Sequence, residues 1–552
     1  MDDTSRTTAE LIVECLVNEG VTHVFGIPGE ENIRLIDALS RSPIEYVLTR
    51  HEQGASFMAE VYGRLTGRAG VCSATLGPGA INLLLGVADA TTNSTPLVAL
   101  SAQVGMGRSY KESHQSVDLI SMFAPVTKWS GLVATPSAVP EMVRKAFKLA
   151  QTERPGAVYL AVPEDVESAV APPGASPLHV NVPRPDDPSA AQVQRAADIL
   201  RSARNPIVLV GHGAARSEAS EAVLRFVESL GIPVATTFHG KGVVPDDHPL
   251  ALGAVGFMRH DYVNFGFDRA DVIVAAGYEL QEFDPVRINP RGDAKIIHIH
   301  RFPAEVDSHY DVAVGLQADI GRSLDALAAA VTREPAADGG ERIRELLADE
   351  LGRGRKDDSF PLAPARIVAD TREALQRNDV VLVDTGALKM WMARLYPTYE
   401  PNTCLISNGL STMGWSMPGA IAAKIARPEA KVLVATGDGA FLMNSQEIET
   451  ALRLHTPIVI LIWVDDAYGL ISWKMDLEIG HNVDTRFGNP DFVAYAESFG
   501  ATGYRISAAD ELLPTLRRAL ADDTVSVIAC PVDYSANSAL IASLGELDES
   551  LS

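Results

Sequence analysis

Apolar residues along the 552-residue chain fall into short runs that alternate with segments of helical period. In AELIVECLVNEG, Leu11, Ile12, Cys15 and Leu16 recur at three- and four-residue spacing, which predicts an amphipathic helix ended by Gly20. VTHVFGIPG then reads as a short strand entering a Gly-Pro-Gly turn. EYVLTRHEQGASFMAEVYGRLTG repeats the sequence strand, loop, helix, and GVCSATLGPGAINLLLGVADA repeats it again. Such regular alternation predicts a parallel sheet with helices on both faces.

A Pro-, Ser- and Ala-rich linker follows at APPGASPLHVNVPRPDDPSA, and a second α/β unit begins at Ala190. Its predicted strands are NPIVLVGHGAA, ADVIVAAGY and AKIIHIH. The polar stretch REPAADGGERIRELLADELGRGRKDDS separates it from a third unit. There DVVLVDTGA, KVLVATGDG, PIVILIWVDDAYG and VSVIACPVDY are apolar strands, each ending in a polar loop. The expected fold is α/β, with three doubly wound parallel-sheet domains spanning 1–172, 190–332 and 360–552. The third domain shares the rhythm of the first, but too little sequence for a repeat.

Composition adds limits. Hydrophobic content of 46% and charged content of 21% are those of a globular protein, and the length exceeds what one core accommodates. A net charge of -24 argues against nucleic acid or an anionic membrane surface as partner. It leaves room for a phosphorylated cofactor held by backbone and a cation. Cys15, Cys72, Cys404 and Cys530 form no CxxC pair, so buried reduced thiols in a cytoplasmic protein are expected. The start MDDTSRTTAE lacks the basic and apolar regions of a signal peptide, and no apolar run reaches the roughly 18 residues of a membrane span.

The densest chemical signal lies in KVLVATGDGAFLMNS. Gly437, Asp438 and Gly439 follow a buried strand, the place where open α/β sheets bind ligands. Glycines let backbone N–H groups approach phosphate, and a following helix N-terminus favours its charge. Asn444, with Glu447 three residues on, suggests a helix cap. Asp465 follows the next strand, so adjacent parallel strands would bring the two carboxylates to one edge. Two carboxylates and a backbone carbonyl suit a hard divalent cation that takes its other ligands from water and phosphate.

GDG followed at this distance by an acidic or amide residue resembles the diphosphate–magnesium motif of thiamine diphosphate enzymes. The commoner motif ends in Asn-Asn, whereas this chain has Val464-Asp465. WVDDAYGLI resembles the variant of the catabolic, FAD-independent acetolactate synthases. The resemblance implies thiamine diphosphate and Mg2+ as cofactors, with Asp438, Asp465 and the carbonyl of Ala467 as metal ligands. It implies cofactor contacts from Gly437, Asp438, Gly439, Ala440, Tyr468, Gly469 and Leu470. In the first domain, RHE resembles the motif of the glutamate that protonates the aminopyrimidine ring, which assigns that role to Glu52. Burial there would raise its pKa.

Further matches run over nearly the whole chain. FGIPG resembles the loop placing Pro28 and Gly29 behind the pyrimidine. TLGPGAINLLLG resembles the turn bringing Thr75, Gly79 and Asn82 near the ring. SHQSVDLISMFAPVTKW places Gln115 by the reacting carbon, and VDTGALKMWMARLY contributes Gly386 and Ala387. ISNGLSTMGWSMPGAIAA makes Met413 the bulky residue under the folded cofactor, and the tail PVDYSANSALI is also similar to the synthases.

The reaction implied is decarboxylation of pyruvate and ligation of the hydroxyethyl carbanion to a second pyruvate, giving 2-acetolactate and CO2. The chain lacks the His-His pair of yeast-type pyruvate decarboxylases, which favours carboligation; His51 and His114 are single. A carboligase with another acceptor, 2-ketobutyrate or an aldehyde, stays open, because Trp473 in YGLISWKM and GEENIRL after Gly29 depart from the catabolic pattern. VLVGHGAAR lacks the third glycine of a dinucleotide fingerprint, and GYELQEFDP lacks the arginines of the FAD-binding stretch, so FAD is not expected. Two further readings differ in class. A nucleotide-dependent oxidoreductase requires the full glycine fingerprint, and a non-catalytic paralogue requires loss of Glu52 or Asp438. The resemblance also implies a homodimer or homotetramer with active sites between subunits.

Overall fold

The computed structural model describes residues 6–181, 184–256, 261–332 and 340–538. It contains three six-stranded sheets, parallel throughout. The first has β1 (His23–Gly26), β2 (Glu45–Leu48), β3 (Gly70–Ala74), β4 (Leu97–Gln103), β5 (Trp129–Leu132) and β6 (Ala157–Pro163) in the order β2-β1-β3-β4-β6-β5. The second has β7 (Pro206–Val210), β8 (Val234–Thr236), β9 (Ala251–Ala254), β10 (Val272–Ala276), β11 (Lys295–His300) and β12 (Val312–Gln317) in the order β12-β11-β10-β7-β8-β9. The third has β13 (Val380–Val383), β14 (Cys404–Ile406), β15 (Val432–Gly437), β16 (Val459–Val464), β17 (Thr502–Arg505) and β18 (Ser526–Pro531), in the order β14-β13-β15-β16-β18-β17. The first and third sheets therefore share one strand order, a kinship that the sequence displays only as rhythm.

The strands are apolar because helices cover both faces of a parallel sheet. All residues of β3, β4, β6, β7, β10 and β13 are buried. The first and third sheets turn back at their β6-β5 and β18-β17 edges, and the winding direction reverses between β1 and β3, between β7 and β10, and between β13 and β15. Loops at the carboxyl ends of these strand pairs diverge and leave a crevice.

The polar stretch after the second sheet is more than a separator. Residues 333–339 lie outside the described residues, but Glu341–Arg355 is a helix. Ile343, Leu346, Leu347 and Leu351 pack against apolar cores. The buried Arg394 guanidinium donates to Glu350 Oε1 and Oε2 at 2.5 and 2.7 Å and to Asp261 at 2.5 Å. The tail motif extends beyond residue 538, where residues 539–541 lie outside the described part, as do residues 1–5 of the N-terminal motif.

Residues 6–181, 409–429 and 444–456 form one compact unit, and the other described residues form a second. The four cysteines are buried and form no disulfide with one another, and among the described residues no helix is long and apolar enough to cross a membrane.

Candidate active site

In the first unit the crevice between β1 and β3 gathers the predicted first-domain residues. Glu52 opens the helix Glu52–Thr66, capped by His51, whose Nδ1 accepts the N–H of Gln53 at 3.0 Å. Glu52 is half-buried, and its Oε2 accepts from Asn82 Nδ2 at 3.0 Å. A Cβ on Gly79 would lie 2.9 Å from Thr75 Cγ2 and 3.2 Å from Glu52 Oε1, so this position leaves space only for glycine. Gly29 approaches Thr75 as closely, with an added Cβ 2.3 Å from the threonine Cβ. Pro28 is exposed beside it. Glu52, Thr75, Gly79, Asn82 and Gly29 thus converge. Gln115 adjoins them through its backbone: its carbonyl packs on Gly77, both residues have positive φ, and its side chain is exposed.

Two neighbours were not foreseen. Thr75 Oγ1 donates to Glu31 Oε2 at 2.6 Å, and Gly29 N–H donates to Asn32 Oδ1 at 2.8 Å. GEENIRL thus supplies a carboxylate and an amide to this crevice.

Met413 is half-buried in the loop between Gly409 and the helix Ser416–Ala426. That loop is pinned along its length. Gly409 N–H donates to Asn93 Oδ1 at 2.9 Å, Thr412 Oγ1 to Asp89 Oδ1 at 3.0 Å, and Trp415 Nε1 to Glu60 Oε2 at 2.9 Å. The proposed cap at Asn444 is not formed. Gln446 precedes the helix Glu447–Arg453, and Asn444 Nδ2 donates to the Gly414 carbonyl at 2.9 Å and to Gln53 Oε1 at 3.1 Å. Glu447 instead accepts the N–H groups of Arg50 and His51, each at 3.0 Å, and the Thr450 hydroxyl at 2.5 Å. Tertiary partners outcompete the local capping pattern here. Burial pushes the Glu447 carboxyl up to about 7, against the pull of these donors.

In the second unit, Asp438 follows β15 at the start of the helix Asp438–Asn444. Its Oδ1 accepts the Gly439 N–H at 2.8 Å. Its Oδ2 accepts the N–H groups of Asp465 and Asp466 at 3.2 and 2.8 Å, and Asn489 Nδ2 at 2.8 Å. Asn489 also reaches Asp466 Oδ1 at 2.7 Å and was not anticipated; nothing in the local sequence of GNP distinguishes it from an ordinary turn. A Cβ on Gly469 would lie 2.3 Å from Asp465 Oδ2, and one on Gly439 2.9 Å from the Tyr468 ring. Gly386 and Gly437 flank the same Leu388 methyl, next to buried Ala387 and Ala440. Tyr468 is exposed and packs edge-on against Phe487, Leu470 is half-buried, and Ala467 bridges Arg486. Among the described residues, the buried Trp473 indole N–H has no hydrogen-bond partner.

Burial pushes the Asp438 carboxyl up from its ordinary value. Burial and the charges of Asp438 and Asp466 push Asp465 up to about 7. An all-oxygen set with crowded negative charge fits a hard cation. Among the described residues no three His, Cys, Asp or Glu side chains are arranged to hold a metal alone, so such a cation would need carbonyl, water or phosphate oxygens as well.

The crevice between β7 and β10 is filled by the protein itself. The wholly buried Glu282 accepts the N–H groups of His212 and Glu279 at 3.1 and 3.0 Å, and the Thr237 hydroxyl at 2.5 Å. Burial and neighbouring Glu279 push Glu282 up to about 8. Burial would raise Glu279 as well, but hydrogen bonding to His300 and the Arg216 charge hold it well below the usual range.

Three domain families match the chain: the N-terminal TPP binding domain of thiamine pyrophosphate enzymes over residues 6–122, their central domain over 193–327, and their C-terminal TPP binding domain over 384–530. Similar curated proteins include an acetolactate synthase of Bacillus subtilis, 36% identical over 96% of this chain and 94% of its own length. A catabolic acetolactate synthase of Raoultella terrigena is 36% identical over 97% of both chains. A probable acetolactate synthase large subunit of Methanocaldococcus jannaschii is 36% identical over 95% of this chain and 92% of its own. With three parallel sheets and matches of this extent, the chain belongs to the acetolactate synthase family of thiamine pyrophosphate enzymes.

Proposed function

We propose that the protein is an acetolactate synthase that decarboxylates pyruvate and joins the remaining two-carbon unit to a second pyruvate, giving 2-acetolactate and CO2. The observation that carries this reading, within that family, is the pairing of Asp438 with the Asp465–Asp466 turn at the carboxyl ends of β15 and β16. Thiamine diphosphate, when bound, supplies a nucleophilic carbon and an electron sink. Asp438, Asp465 and the Ala467 carbonyl would hold Mg2+ against its diphosphate, with Gly437, Gly439 and Ala440 giving backbone room. Glu52, oriented by Asn82, holds or donates a proton at the aminopyrimidine, and Gln115 orients the acceptor.

The Gly469–Ile479 helix buries none of its residues in the single chain, and Ile471, Leu477 and Ile479 are exposed on it. Ile81 and Leu85 are likewise exposed on the helix that carries Asn82. Uncovered apolar surface beside each half-site supports a homodimer or homotetramer in which Glu52 of one chain serves the diphosphate loop of another. Glu282 takes the N–H groups at the middle-domain crevice, where a dinucleotide phosphate would otherwise dock, which supports FAD-independent activity. Four buried cysteines that form no disulfide support a cytoplasmic setting.

Purified protein supplied with thiamine diphosphate and Mg2+ is expected to convert pyruvate to CO2 and acetolactate without added FAD. Unconsumed pyruvate would refute the reading. Parallel assays with 2-ketobutyrate and benzaldehyde define the acceptor, and light scattering gives the assembly.

A further inference from the structure

We propose that Glu447 is a positioning residue for Glu52, fastening the turn from which that glutamate projects. This rests on the reading of Glu52 as the activating carboxylate. The two residues belong to the same compact unit although far apart in sequence. Between β2 and the helix Glu52–Thr66 the chain turns through Thr49, Arg50 and His51. The Glu447 carboxylate closes this turn from outside. Its Oε1 accepts both Arg50 and His51 N–H at 3.0 Å, its Oε2 also accepts Arg50 N–H at 3.2 Å, and Thr450 Oγ1 fixes the second oxygen at 2.5 Å.

The His51 N–H, at the cap position, is a donor that the start of a helix leaves unsatisfied, and the Arg50 N–H belongs to the turn leading into it. His51 provides only a neutral ring nitrogen, to Gln53. Glu447 therefore performs for this helix what an acidic cap performs elsewhere, but from a distant segment, and it is 0% exposed. Gly54 makes the approach possible: a Cβ there would lie 2.7 Å from Glu447 Oε1 and 3.3 Å from its Cγ. Asn444 adds a second tether through Gln53. Residues on both sides of Glu52 are thus held by one short segment, while Glu52 itself is left to Asn82.

Misplacing a proton-transfer group by about 1 Å costs roughly 100-fold. Glu447→Ala is accordingly expected to slow C2-proton exchange of bound thiamine diphosphate about 10- to 100-fold, leaving cofactor affinity near that of the parent. In cofactor-free protein it should expose the Arg50 and His51 amides to hydrogen exchange, while Glu447→Gln restores much of both properties. Gly54→Ala provides a second route that favours helix formation yet displaces the carboxylate, and it should reproduce the defect even if Glu447→Ala does not fold. Glu141→Gln, an exposed carboxylate of the same compact unit, is the control. Parental C2 exchange in Gly54→Ala or Glu447→Ala, or unchanged amide protection at Arg50 and His51, would overturn the proposal. Parental C2 exchange in Glu52→Gln would overturn the reading of Glu52 instead, and the amide measurement would still judge the tether.

Discussion

Asp438 accepts the backbone N–H of Asp465 at 3.2 Å, while the charge of Asp438 helps burial push the Asp465 carboxyl up to about 7. The peptide contact holds the loop in place and the carboxylates repel. The proposed Mg2+ would resolve that conflict. Asp465→Asn is expected to raise the melting temperature of cofactor-free protein and to weaken Mg2+ binding about tenfold, as a charged ligand becomes neutral. Asp438→Ala, which also abandons the N–H groups of Asp465 and Asp466, is expected to weaken cofactor binding roughly 100-fold or more. Calorimetric titration of thiamine diphosphate with Mg2+ measures both.

Asn82 Nδ2 donates to Glu52 Oε2 at 3.0 Å. A hydrogen bond to a charged group contributes about 1.5–3 kcal/mol, so Asn82→Ala should lower kcat roughly 10- to 100-fold. Steady-state kinetics with saturating cofactor test this; an unchanged kcat would separate Asn82 from the activation of Glu52.

Burial and Glu279 push the Glu282 carboxyl up to about 8, above the ordinary glutamate value of 4.5. The folded protein therefore keeps a proton that the unfolded chain loses first. Its contribution disfavours folding increasingly as pH rises from about 4.5 to about 8 and changes little above that. The melting temperature of Glu282→Gln minus that of the parent should grow across this window, as read by thermal scans at several pH values.

Glu60 is wholly buried, accepting from Trp415 Nε1 at 2.9 Å and Thr95 Oγ1 at 3.0 Å. Trp415→Phe removes one donor from a buried carboxylate and should cost about 1–3 kcal/mol. The expected readout is a lower apparent melting temperature, with weaker cofactor retention because the Met413 loop loses one of its pins.

What the sequence discloses is what neighbours along the chain or adjacent strands bring together. Thr75, Gly79 and Asn82 share one turn and helix start, and Asp438 and Asp465 end adjacent strands, so their meeting is implied by the parallel pattern. The helix Glu341–Arg355 also had its signal, in Ile343, Leu346, Leu347 and Leu351, but the surrounding charge concealed it. The short strands β14 and β17 have too few residues to establish a period. Glu447 and Asn489 act on backbone or carboxylates distant in sequence, and local periodicity carries no trace of such partners. At Asn444 a valid local rule pointed the wrong way, because a buried carbonyl and a glutamine side chain offered better bonds.

The compact unit that carries β1 to β6 also takes in residues 409–429 and 444–456. During synthesis, its N-terminal portion must therefore wait for roughly 270 further residues before Glu60 meets Trp415 and the Arg50 turn meets Glu447; at about 5–20 residues per second that delay lasts tens of seconds. Throughout that interval the buried carboxylate of Glu60 lacks its indole partner and the nascent Glu52 helix lacks its closing anion. Translation speed, and chaperones able to shelter an incomplete first domain, thereby become determinants of how much protein reaches a competent state.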